Sequence, residues 1–225
     1  MWQKISLLGS LVVMAPAATA IVAGLISAKA WRLTLIWGCL FASGMALVVL
    51  SKIAFIGWGI GIESIGLTCF SGHAMRAAAV LPVAGYLCFR QGQGMVRHVG
   101  WLAGVFAAVL ISYSRIMVQA HSVSEAVTGC ALGLMVAFGF IWYVHHAQKF
   151  MMNRVLVMLS VAMLTLTPSA KPAPTEKWMM QLALYLSGHT QPFTRSDWKQ
   201  AKQSVAAPAL ISPEKVSMKW YDQHL

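Results

Sequence analysis

An all-α bundle of six membrane-spanning helices with a C-terminal tail outside the bilayer is the fold this sequence predicts, and three observations predict it. Hydrophobic residues make up 58% of the chain and charged residues 10%, where a soluble domain carries about 25% charge. Several apolar runs approach the roughly 20 residues that a bilayer core demands. From Pro168 onward, prolines at 168, 172 and 174 end the last apolar run and polar residues become frequent. The chain therefore divides into a membrane domain, residues 1–167, and a tail, residues 168–225.

The first span is residues 5–28. Lys4 and the Ala-x-Ala steps at Ala15–Ala17 and Ala18–Ala20 look like a signal peptide, but the apolar run continues to Ala28, which favours a retained helix. Lys29 and Arg32 form a short basic loop before the second span, residues 33–51. Residues 52–63, rich in Gly and Trp, read as too broken for a helix. Irregular backbone at membrane depth survives only where protein covers it or where it lines a wet cavity, so this stretch is expected to fold over a site. Phe70-Ser71-Gly72-His73 opens the third span, which runs to residue 89. Arg90 and Arg97 bracket a turn, and the fourth span, residues 98–113, delivers Arg115 at its far end. The fifth span covers residues 121–145 and the sixth about residues 151–167, with His145, His146, Lys149 and Arg154 making another basic loop where they join. In the tail, residues 178–186 have the pattern of an amphipathic helix lying against the bilayer surface.

The three basic loops fall on one side if the spans alternate, and the positive-inside rule makes that side cytoplasmic. The segments around residues 52–73 and 114–121, and the tail, then share the outer face. The net charge of +11 does not argue for nucleic acid, because neither a basic helix nor an aromatic platform accompanies it. Cys39, Cys69, Cys88 and Cys130 sit in apolar surroundings without CxxC spacing. They read as small packing residues rather than a metal site or disulfide framework.

Residues 114–125, Ser-Arg-Ile-Met-Val-Gln-Ala-His-Ser-Val-Ser-Glu, place a cation, a histidine and a carboxylate in a chain built for lipid. Charge at that depth is expensive and marks function by default. If the region after Val118 is helical, His121 and Glu125 lie one turn apart on one face. The carboxylate then takes one ring N–H and leaves the other nitrogen as base or nucleophile. Arg115 brings a planar fork of donors suited to phosphate oxygens.

Three blocks, Lys52, then Phe70-Ser71-Gly72-His73, then Ser114-Arg115-x5-His121-x3-Glu125, resemble the motifs of the type 2 phosphatidic acid phosphatase and vanadium haloperoxidase superfamily, in its membrane lipid-phosphatase branch. The family pattern is Lys-x6-Arg-Pro, Pro-Ser-Gly-His and Ser-Arg-x5-His-x3-Asp. The resemblance covers about residues 50–130. It implies that His121 attacks phosphorus and forms a phosphohistidine, that Glu125 holds its ring, and that His73 protonates the leaving oxygen. Lys52, Arg115 and the N–H groups around Ser71 and Gly72 would bind the phosphate, and neither metal nor other cofactor is needed.

This chain departs from the pattern at three places. Phe70 replaces the proline before Ser71, Glu125 stands where aspartate is usual, and Gly59-Ile60 stand where Arg-Pro is expected. The missing arginine removes a phosphate clamp, and Arg76 or the tail's Arg195 are the candidates to replace it. The expected activity is hydrolysis of a lipid-linked phosphate or pyrophosphate within the bilayer, at the outer face of a bacterial inner membrane. The alternatives are a phosphotransferase moving the phosphoryl group between lipids, and a catalytically impaired membrane scaffold subunit.

Overall fold

A computed structural model describes residues 1–90, 92, 94–146 and 175–198. Among the described residues the chain is all-helical; the only β pairing is an isolated bridge between Ile62 and Leu67. In chain order the helices are α1 (Trp2–Leu8), α2 (Leu11–Ser27), α3 (Trp31–Trp58), α4 (Gly72–Phe89), α5 (Gly94–Met117), α6 (Val123–His146) and α7 (Thr175–Ser187), with a single 3₁₀ turn at Glu63–Ile65. The predicted sixth span, residues 151–167, lies outside the described residues.

Among the described residues, four stretches are long and apolar enough to cross a membrane: Trp2–Ser27, Trp31–Trp58, Met95–Met117 and Val123–His146. The fifth long helix, α4, has 18 residues, about 27 Å of rise. It is packed between α5 and α6, and its residues Ala74, Met75, Ala77, Ala78, Ala79 and Val80 are fully buried. A helix enclosed by its neighbours can carry polar residues that a lipid-facing one cannot.

Small residues let the backbones approach. A Cβ added at Gly129 of α6 would lie 2.5 Å from the Ser71 carbonyl oxygen, and one at Gly133 2.2 Å from that of Met75. On the opposite face, Cβ atoms at Gly100 and Gly104 of α5 would meet the carbonyl oxygens of Gly85 and Leu81 at 2.7 and 2.4 Å. Both pairs, Gly100/Gly104 and Gly129/Gly133, have the four-residue spacing by which membrane helices pack without a hydrophobic driving force. The α2–α3 hairpin is fastened by Trp37, whose indole donates to the Ala18 carbonyl at 3.3 Å and packs on Phe140 of α6 with ring centroids 5.2 Å apart.

Two predicted boundaries need correction. The first span is not one helix, because it breaks at Gly9–Ser10 into α1 and α2. The stretch expected to be irregular from residue 52 is helical to Trp58. Neither proline nor an unmet polar group interrupts residues 52–58, so α3 continues until Gly59. Gly59 adopts the left-handed conformation, φ 67°, and its amide and that of Ile60 bond back to Phe55 and Ala54, a glycine-terminated helix end. The irregular cover begins there, with residues 59–71.

Basic residues 29 and 32 lie at the start of α3 and Arg90 at the end of α4, which is the opposite end of the bundle from Lys52, His73 and His121. Helix α7 matches the predicted tail helix and packs beside the C-terminal end of α3, with Ala183 buried there. Trp178, Leu182 and Tyr185 remain exposed, as an interfacial helix requires.

Candidate active site

Four helix ends meet at this end of the bundle: the C-terminal ends of α3 and α5 and the N-terminal ends of α4 and α6. The link from α5 to α6 is short and tied back on itself. The amides of Ala120 and His121 donate to the Arg115 carbonyl at 3.1 and 3.3 Å, and Gln119 takes a left-handed φ of 55° to allow it.

The expected helix through His121 does not form, since α6 starts at Val123. His121 and Glu125 meet for another reason. Ser122 caps α6: its hydroxyl accepts the Glu125 amide at 3.3 Å, and the Glu125 carboxylate accepts the Ser122 amide at 3.1 Å, the reciprocal pair of a capping box. The same carboxylate oxygen, Oε2, lies 2.8 Å from His121 Nδ1. Nδ1 is thereby committed to the carboxylate, and Nε2 is the nitrogen left for chemistry.

Glu125 is fully buried and densely bonded. Its Oε1 accepts the Thr68 amide at 3.0 Å and the Thr68 hydroxyl; its Oε2 also accepts Arg195 Nη2 at 2.7 Å. The loop carrying Thr68 is stitched to α6 by Ser122 and Ser124, whose hydroxyls donate to the carbonyls of Gly66 and Ile65 at 2.9 and 2.8 Å. The Ser71 amide in turn donates to the Glu125 carbonyl at 3.1 Å.

Ser71 occupies the N-cap of α4 but its side chain makes no cap bond. Its hydroxyl is buried without a partner among the described residues. Gly72 follows, and a Cβ there would stand 3.2 Å from Arg76 Nη1, so the guanidinium folds back along the helix start. Arg76 Nη2 lies 3.4 Å from His73 Nδ1. A guanidinium only donates, so Nδ1 accepts and the neutral ring carries its proton on Nε2.

The first helix, which sequence reasoning left outside the site, forms its floor. Arg76 Nη2 donates to the Gly9 carbonyl at 3.3 Å, and Arg115 Nη1 donates to the Ser6 hydroxyl at 2.5 Å. Gly9 lies against His73, where a Cβ would come within 3.2 Å of its carbonyl oxygen. Trp2 packs edge-on against Tyr113 at 5.5 Å, which anchors α1 to α5. Through the Ser71 amide bonded to the Glu125 carbonyl, the start of α4 that carries His73 is tied to the start of α6 beside His121. Neither Arg76 nor Arg115 has a carboxylate partner among the described residues, and the Nε of each is buried and unpartnered.

The predicted residues therefore gather as follows. His73, Arg76, Ser71, Gly72, Arg115, His121 and Glu125 share this end of the bundle. Lys52 is at its edge, paired at 3.2 Å with Glu176 of α7. Gly59, in the place of the expected first-block arginine, ends α3 and faces Phe193 of the tail; a Cβ there would lie 2.6 Å from that ring. Arg195 is brought in as well, but onto Glu125 rather than onto the free guanidinium cluster. Ser6, Gly9, Thr68 and Ser122 were missed. Ser122-x-x-Glu125 was readable as a capping box; nothing in the sequence singled out the other three.

Of the cysteines, Cys69, Cys88 and Cys130 are buried and Cys39 is exposed on α3. Cys69, His121 and Glu125 each bring a donor atom within 4.8 Å of the others. The trio is poorly suited to a metal, since ligation requires thiolate and free carboxylate lone pairs. Burial, with the Glu125 charge beside it, pushes the Cys69 thiol up, and both Glu125 oxygens are already hydrogen-bonded.

The chain belongs to the PAP2 superfamily, whose profile matches residues 63–149. It is similar to an uncharacterized 22.5 kDa protein in the cps region of Klebsiella pneumoniae, with 34% identity over 205 residues covering 87% of this chain and 96% of that one. It is also similar to phosphatidylglycerophosphatase B of Bacillus subtilis (strain 168), with 38% identity over 71 residues, 30% of this chain and 34% of that one. No solved structure gives a significant match.

Proposed function

We propose that the protein is a membrane phosphatase that hydrolyses a lipid-linked phosphate or pyrophosphate through a phosphohistidine on His121. The observation that carries this reading is the set of three buried, unpartnered polar groups, Ser71 Oγ, Arg76 Nε and Arg115 Nε, beside two imidazoles. Unmet buried donors are costly, and a tetrahedral oxyanion is the ligand whose several acceptors would satisfy groups arriving from different helices. Membership of a superfamily of phosphatases and the likeness to phosphatidylglycerophosphatase B support the same chemistry.

In this mechanism the Nε2 lone pair of His121 attacks phosphorus in line with the ester or anhydride oxygen. The P–O bond breaks as the P–N bond forms, and His73, protonated on both nitrogens once the phosphate dianion is bound beside it, passes its Nε2 proton to the leaving oxygen and becomes neutral. Arg76, Arg115, Lys52 and the amides at the start of α4 hold the equatorial oxygens. A water then gives its proton to His73 and attacks phosphorus, the P–N bond breaks, and inorganic phosphate leaves. Arg76, beside His73, replaces the arginine missing at Gly59. The site opens at an end of the bundle, taken as the outer face because the basic residues 29, 32 and 90 lie at the other end. A headgroup can enter there while its hydrocarbon stays in lipid.

The test is phosphate release by purified protein from a panel of lipid monophosphates and pyrophosphates, compared with His121→Asn. The expected result is release that the variant loses, with an acid-labile phosphoenzyme trapped in the wild type. Label passing to a second lipid instead of water identifies a phosphotransferase; no His121-dependent turnover of any lipid phosphate identifies a scaffold.

A further inference from the structure

The resemblance and the matched family profile both stop well before the tail, yet the tail reaches the group that orients the nucleophile. Arg195 Nη2 bonds Glu125 Oε2 at 2.7 Å, with the carboxylate buried and the arginine half exposed. This oxygen also receives His121 Nδ1 and the Ser122 amide. We propose that Arg195 is a positioning residue, the third member of a His121–Glu125–Arg195 unit, and that residues 188–198 are a built-in part of the active site. The inference rests on the phosphohistidine reading above.

The docking of this segment is specific. The Phe193 amide donates to the Ile56 carbonyl at 2.9 Å, His189 Nδ1 lies 2.7 Å from the Gly57 carbonyl, and Trp198 packs edge-on against Phe55 at 5.2 Å. A short helical turn carrying Arg195 is capped by Asp197, which accepts the Thr194 amide at 2.6 Å. The tail thus grips the exposed carbonyls at the end of α3, and the bare faces of Gly59 and Gly61 accommodate Phe193 and Trp198. Arginine has a defined direction at the end of this path.

Its role follows from what Glu125 must do. A carboxylate with a histidine on one oxygen can rotate or accept the ring proton outright. Thr68 and Ser122 already fix the plane of the Glu125 carboxylate, and the guanidinium on the same oxygen as His121 offsets its charge. The carboxylate then holds Nδ1–H without removing it, so His121 keeps Nε2 unprotonated for attack. Arg195 acts on Glu125 and not on the substrate, which separates it from Arg76 and Arg115.

The experiment is a double-mutant cycle on the lipid-phosphate assay with full-length protein, using Arg195→Ala, Glu125→Gln and the pair. A charge-assisted bond of this kind predicts a loss of about tenfold in kcat with little change in KM for Arg195→Ala. Free guanidinium added to Arg195→Ala should restore turnover, Arg195→Lys should retain part of it, and Glu125→Gln/Arg195→Ala should be no slower than Glu125→Gln. Losses that multiply in the double variant, an effect confined to KM, or unaltered turnover in Arg195→Ala would overturn the proposal. Trypsin cleavage after Arg195 reads the ion pair without any substrate: it should accelerate in Glu125→Gln, and an unchanged rate counts against the pair. A wild type without His121-dependent phosphate release fails the phosphatase reading instead, and the trypsin comparison still reports on the tail.

Discussion

The close approach of α6 to the start of α4 makes Gly129→Ala the most informative single substitution. The new Cβ would stand 2.5 Å from the Ser71 carbonyl oxygen, 2.9 Å from its nitrogen and 3.2 Å from its carbonyl carbon. These are backbone atoms, and they cannot turn aside as a side chain would. Restoring an ordinary contact of 3.4 Å to the nearest of them requires a displacement of about 0.9 Å, and overpacking of this kind costs about 1–3 kcal/mol. The displaced backbone carries Ser71 and leads into Gly72 and His73, while α6 carries Glu125 and, through its cap, His121. Since misplacing reacting groups by 1 Å costs about a hundredfold in rate, kcat/KM should fall by about that factor. The assay is phosphate release in detergent, run below the melting temperature of the variant, with Gly139→Ala as control. Gly139 lies in the same helix, but its Cβ would meet only a leucine methyl at 4.0 Å, so that variant should keep full activity. Equal, near-wild-type activity in both variants would refute the claim that this contact sets the distance between the two imidazoles.

Glu125→Asp retracts the carboxylate by about 1.5 Å, so it cannot keep the Ser122, His121, Thr68 and Arg195 bonds together; kcat should fall at least tenfold, and apparent Tm should drop. Ser6→Ala leaves Arg115 Nη1 without its hydroxyl acceptor, which costs about 1–3 kcal/mol for a buried donor. Weaker inhibition by inorganic phosphate, together with a lower kcat/KM, is the expected signature. Gln119 holds a left-handed φ that a β-branched residue tolerates poorly; Gln119→Val should lower apparent Tm, while Gln119→Gly should not.

Much of this architecture was legible because the forces behind it are local or periodic. Long apolar runs must become helices in lipid, since no other backbone partner exists there, so the runs read at residues 33–51, 70–89, 98–113 and 121–145 each correspond to a helix, α3 to α6. Their ends were less readable. Nothing in residues 52–58 announces that α3 continues for another two turns; Gly59 alone stops it. The break at Gly9–Ser10 was equally hidden, because α1 and α2 are apolar on both sides of it and only contact with Arg76, Arg115 and His73 makes the turn useful. At the site, the motif spacing identified His121, Glu125, Arg115 and His73, but the geometry joining His121 to Glu125 was misjudged. A shared helical face was expected, and a capping box does the work instead. Thr68 is beyond any local signal, since its role depends on the loop crossing the start of α6.

The charge arrangement explains why an arginine can be absent from the first block without leaving the site weakly cationic. Glu125 is already bound by His121, Thr68, Ser122 and Arg195, and it sits behind the His121 ring. Glu176 offsets Lys52 from an exposed position, and its charge also reaches Arg115. Arg76 and Arg115 repel one another and are held by a carbonyl and a hydroxyl, neutral groups that position a guanidinium without cancelling its charge. These neutral groups leave most of the positive charge uncancelled, and an anion with several oxygens gains more there than a single carboxylate does. Glu176, carrying one charge in water, is a weak competitor for Lys52 against a phosphate near two negative charges. The docking of Phe193 against Gly59 needs that bare backbone, since a Cβ there would lie 2.6 Å from the ring.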